Sequence, residues 1–105
     1  MFNINGENWG IKVVPRFSPY LQRSDGSYTI GVCDDNDKYV YLADDLPYLL
    51  LKKVLCHEIT HAAMFSYNVD LRIEQEELVA DLIATYGEEI VDITDEIFKK
   101  IKGAW

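Results

Sequence analysis

No stretch of this sequence approaches the ~20 consecutive apolar residues needed to cross a bilayer. Its start, Met1 to Gly10, lacks the basic n-region and apolar h-region of a secretory signal, so a cytoplasmic location is expected. Positive charge is scarce. Ten Lys and Arg stand against eighteen Asp and Glu, giving a net charge of −8. Such a surface has nothing to exchange for the counterions of a nucleic acid or an anionic membrane, and neither is expected as a partner. Cysteine is nearly absent: Cys33 and Cys56 cannot build a disulfide framework and read as buried free thiols. Cys56 adjoins a histidine, but neighbours on a helix point in different directions.

Histidine is just as rare, and both histidines fall in one pentapeptide, His57-Glu58-Ile59-Thr60-His61. On a helix, residues i and i+4 lie one above the other, so two imidazoles can grip one metal ion. Glu58 is rotated roughly 100° from them. That is too far round for a comfortable ligand, but it suits a carboxylate touching a water at the metal's open position.

The surrounding chain fits a single domain, residues 1–105, with 49% apolar residues and one modest core. No repeat or linker interrupts it. Asn8 to Val14 reads as a first strand ended by Pro15. Arg16 to Ser27 has loop chemistry, including an Asp25-Gly26 turn. Tyr28 to Cys33 and Lys38 to Leu42 are β-rich runs around Asp34-Asp35-Asn36-Asp37, a hairpin with a solvated turn. That turn lacks the glycine and distal glutamate of a calcium loop. Asp44 and Asp45 are candidate caps for a helix from about Leu46 to Phe65, apolar on nearly every side and so expected to be central and buried. Asp70 is the candidate cap of a helix from about Leu71 to Tyr86, ended by Gly87. Glu88 to Lys102, with Ile90, Ile93, Ile97 and Ile101 at helical spacing, reads as a last helix. The expected class is α+β: a small antiparallel sheet of about three strands packed on the motif helix, plus two further helices.

A catalytic zinc usually takes three protein ligands, and no third histidine exists. Glu77 shares a helix face with Ala80, Asp81 and Ala84, and two alanines allow close approach to the motif helix. Glu77 is therefore the candidate third ligand, with Glu76 and Glu74 as alternatives. Asp81 is placed to accept the Nδ1–H of a ligating histidine. H-E-x-x-H on one helix followed by E-x-x-A-D on the next resembles the gluzincin metallopeptidases, and more narrowly the small ImmA/IrrE-type proteins of phages and mobile elements. The matching region runs from about Tyr28 to Tyr86. The resemblance implies a minimal zincin-like fold, a Zn2+ cofactor held by His57, His61 and Glu77, Glu58 as catalytic base, and a peptide or protein substrate. Tyr67, Arg72 and Tyr86 are candidates for a second oxyanion donor, though packing or surface roles suit each of them better. Lys38 to Leu42 is a candidate edge for pairing with an extended substrate. The reading of a different class is a non-catalytic metal- or partner-binding protein with a structural or vestigial zinc. Nothing in the sequence sets an oligomeric state.

Overall fold

Asn5-Gly6 turns the chain almost as soon as it begins. Both residues have positive φ, 50° and 82°, and they join β1 (Phe2–Ile4) to β2 (Glu7–Val14) in a two-residue hairpin. The computed structural model in which this is seen describes residues 1–103. The expected first strand is thus the second arm of a hairpin, and β1 lies outside what apolar runs alone reveal.

β3 (Gly31–Asp34) and β4 (Tyr39–Ala43) form the second hairpin. The sheet has four strands in the order β1-β2-β4-β3, and it is mixed, because β2 pairs with β4 in parallel. This corrects the expectation of about three antiparallel strands. The connection between β2 and β3 carries the chain past one strand position, and the hairpin then folds β4 back into the gap. β4 is therefore interior, paired on both sides, and the free edge beside the helices belongs to β3.

Alternation sorts β4 into two faces. Tyr41 and Ala43 join Val14 and Leu21 in one cluster, where Tyr20 of the short 3₁₀ turn Pro19–Leu21 stacks on Tyr41 at 4.5 Å. Val40 and Leu42, both buried, face the helices. Trp9 is fully buried on this side, and its Nε1–H donates to Ser66 Oγ at 2.8 Å. The Asn5 amide donates to the Ser66 carbonyl at 2.9 Å, so the first hairpin clasps the end of the motif helix.

That helix, α1, spans Tyr48–Ser66. Pro47 is its N-cap residue and supplies no side-chain cap. Neither Asp44 nor Asp45 caps it as expected; Asp45 instead accepts from Arg16 Nε at 2.9 Å. The helix is not buried all round, since Tyr48 and Leu49 are exposed while Thr60, His61, Ala62 and Met64 are buried. Asn68, at φ 53°, turns the chain after it.

α2 runs unbroken over Ile73–Gly103. Two expected helices are therefore one. Gly87 keeps negative φ, and the apolar spacing Ile83, Ile90, Ile97 passes through it, so a glycine cost of about 1 kcal/mol is absorbed. Arg72, not Asp70, opens the helix. Its carbonyl accepts from Glu76 N–H, and its own N–H donates to the Gln75 side chain. Ala80 is fully buried where α2 crosses α1. The two helices and β3 converge on His57, Glu58 and His61.

Candidate metal centre

Helical spacing stacks His57 over His61, and their Nε2 atoms lie 3.1 Å apart. Ala80 and the half-buried Ala84 leave room for α2 to bring its carboxylates up to them. Glu77 Oε1 lies 2.9 Å from His61 Nε2, and Glu77 Oε2 lies 3.2 Å from His57 Nε2. These separations match the roughly 3.3 Å between ligand atoms of a tetrahedral zinc with ~2.05 Å bonds. Among the described residues, the donor atoms of His57, His61 and Glu77 come together as a group able to hold a metal ion.

The other imidazole nitrogens fix the tautomers. His57 Nδ1 lies 2.9 Å from Asp81 Oδ1, and His61 Nδ1 lies 2.6 Å from Glu76 Oε1. An ionised carboxylate only accepts, so each Nδ1 carries the proton and donates it. In the neutral ring, each Nε2 then presents a lone pair. Both Nε2 atoms and the Glu77 carboxylate converge on one small volume, where a metal ion, or an Nε2–H donated to Glu77, relieves the repulsion. Four carboxylates, those of Glu58, Glu76, Glu77 and Asp81, surround two imidazoles, a balance that favours a dication.

Glu76, an alternative ligand in the sequence reading, meets the far side of His61 rather than its Nε2. Glu74 is exposed beside Arg72 Nε, at 3.6 Å. The role of Glu76 was open to inference: a histidine ligand usually donates its second N–H to a carboxylate or carbonyl, and His61 needs one as much as His57 does.

Glu58 is buried between α1 and β3, 7% exposed. Burial pushes its carboxyl up to about 7; the nearby His57 pulls it down, and the Glu77 charge pushes it up again. Gly31 of β3 makes this burial possible, because a Cβ there would lie 3.0 Å from Glu58 Oε2 and 2.6 Å from Val54 Cγ1. Glu58 lies between two open cavities. One, of about 380 Å³, is bounded by Cys33, His61, Phe65, Ile73, Glu76 and Glu77. The other, of about 220 Å³, is bounded by residues including Gly31, Leu50, Val54, His57 and Asp81. Both cavities also touch β3, the first at Cys33 and the second at Gly31.

Cys33 is a wall of the first cavity, where the sequence suggested only a packed thiol. Burial and the Glu58 charge push its thiol upward, so it stays protonated and is a poor ligand. Cys56 faces away, toward Ile59 and Ile83. Tyr67, Arg72 and Tyr86 are exposed, and none of them bounds either cavity, so no oxyanion donor emerges from that set.

Comparison with protein-family models, with curated proteins and with solved structures finds no match to this chain.

Proposed function

We propose that this chain is a zinc-dependent peptidase, with His57, His61 and Glu77 as metal ligands and Glu58 as general base. One observation carries the reading: three donor side chains converge beside a buried glutamate that lines two open cavities. Two imidazole nitrogens and a carboxylate, with the fourth direction open, suit zinc, whereas calcium and magnesium favour all-oxygen shells. Bound there, zinc would supply a Lewis acid that polarises a carbonyl and lowers the pKa of water. Asp81 and Glu76 hold the two imidazoles in the tautomer and orientation that ligation needs. Glu58 takes the proton from the attacking water and delivers it to the leaving amine.

The substrate class follows from the edge of the sheet. β3 is an edge strand whose Gly31 lies against Glu58, so an extended peptide can add to the sheet there once the Thr29 hydroxyl gives up the Gly31 carbonyl it now donates to. β4, the edge expected from the sequence, is paired on both sides and cannot take this role. The resemblance to gluzincins of the ImmA/IrrE type belongs to this proposal and rests on the two helix motifs. So does action on a cytoplasmic peptide or protein. Among the described residues no helix is long and apolar enough to cross a membrane.

The test is elemental analysis of purified protein, followed by digestion of a mixed peptide library. About one zinc per chain is expected. Glu58→Gln should keep the metal and lose cleavage. Protein without metal after zinc reconstitution ends the proposal. Full metal with no cleavage by the wild type favours the non-catalytic binding protein instead.

A further inference from the structure

α2 is much longer than the helix it packs on. Its 31 residues outrun the 19 of α1, leaving an overhang of roughly 18 Å at 1.5 Å per residue. Every residue from Glu88 to Gly103 is exposed. Yet Ile90, Val91, Ile93, Ile97, Phe98 and Ile101 are apolar, each 50–58% exposed, and they line one side of the helix. An isolated helix of this length is marginal in water, so the segment needs a partner to be stable.

We infer that the overhang docks on a second copy of this chain, helix against helix in antiparallel orientation. The charge pattern selects that occupant. Glu88, Glu89 and Asp92 open the segment, and Lys99, Lys100 and Lys102 close it. A parallel pair sets like charges side by side. An antiparallel pair with its two-fold axis near Asp95 sets Ile93 on Ile97 of the second copy. The same register brings Glu88, now 3.1 Å from Lys52 of its own chain, opposite Lys102 on one flank, and on the other sets Glu89 within one residue of Lys100. Apolar seam and outer charges favour this alignment, with Asp95 meeting its own copy at the solvent-exposed margin of the axis as the one like-charge contact it sets up. Six half-exposed apolar side chains and the stems beside them bury about 600 Å² per copy, or about 1,200 Å² in all, the lower end of specific interfaces. The exposed Tyr48 and Leu49 lie at the same end of the helical hairpin and widen the patch. None of this depends on the metal reading.

The experiment is sedimentation equilibrium on the full chain, with zinc content and far-UV circular dichroism as checks that each variant is folded. A dimer is expected. Ile93→Asp with Ile97→Asp should weaken its dissociation constant roughly a hundredfold or more while leaving zinc content unchanged. Glu89→Lys should weaken it too, and adding Lys100→Glu should restore it; Glu88 is left in place because it holds Lys52 of its own chain at 3.1 Å. A chain that is monomeric at every attainable concentration overturns the proposal and leaves the face to another protein. A dimer indifferent to the two aspartates, or a charge reversal that the complementary reversal does not rescue, overturns it as well.

Discussion

The backbone of Gly31 presses against the carboxylate of Glu58, so closely that an added methyl would stand 3.0 Å from Oε2 and 2.6 Å from Val54 Cγ1. One glycine in an edge strand thereby sets where the proposed base sits. Gly31→Ala should shift Glu58 and Val54, cost about 1–3 kcal/mol of stability as overpacking does, and lower peptidase turnover while zinc still binds. Thermal unfolding, metal content and turnover measured together check this. Unchanged turnover at unchanged stability would show that α1 has room to yield.

His61 and His57 are each held at Nδ1 by an acid of α2, and these contacts give a second set of expectations. Glu76→Ala and Asp81→Ala should each weaken zinc affinity about 10–100-fold by releasing an imbued ring orientation. Glu74→Ala should leave affinity unchanged, because Glu74 lies out by Arg72. Competition with a chromophoric chelator measures all three. Equal affinity in the Glu76 variant would reduce the 2.6 Å contact to a surface pairing.

What the sequence disclosed about this site came from periodicity. Two histidines four apart, and Glu77 with Asp81 four apart over two alanines, point toward each other as soon as both segments are helical. Glu76 was legible only as an alternative ligand, because it stands one residue from Glu77 and the crossing of α1 and α2 decides that it meets Nδ1 of His61 instead. Asn5-Gly6 was a legible hairpin signal, but three residues of β1 form too short a run to register as a strand. The parallel pairing of β2 with β4 was not legible at all, since it depends on where the residue 15–30 connection leaves the chain. Gly87 misled because a glycine stops a helix only if it takes positive φ, and here the apolar seam continues through it.

Metal removal should loosen the helical hairpin. Without a cation, the Nε2 atoms of His57 and His61 face each other and the Glu77 carboxylate. On the proposed reading zinc would bind the folded site and not the dispersed ligands, and so would stabilise by about 4 kcal/mol at a thousand times its dissociation constant. A chelator should lower the unfolding temperature, and zinc should restore it. His61→Ala should lose the zinc response altogether. A wild-type melting curve indifferent to zinc and chelator would rule out a site that couples to folding.

The burial of Glu58 predicts how the metal-free protein responds to pH. Its carboxyl is pushed from 4.5 in the unfolded chain to about 7 in the fold, chiefly by burial. Below pH 4.5 both states hold the proton and the group costs nothing. As pH rises toward 7 the unfolded chain gives up its proton while the folded one keeps it, so stability falls across that window and then levels. A shift of that size corresponds to about 3 kcal/mol. Glu58→Gln, which cannot ionise, should remove this loss. The difference in unfolding free energy between variant and wild type, followed by denaturant titration, should therefore grow from pH 4.5 to 7 in favour of the variant. A flat difference would mean that Glu58 reaches water in the metal-free fold, and that its proposed environment is more open than the packing against Gly31 implies.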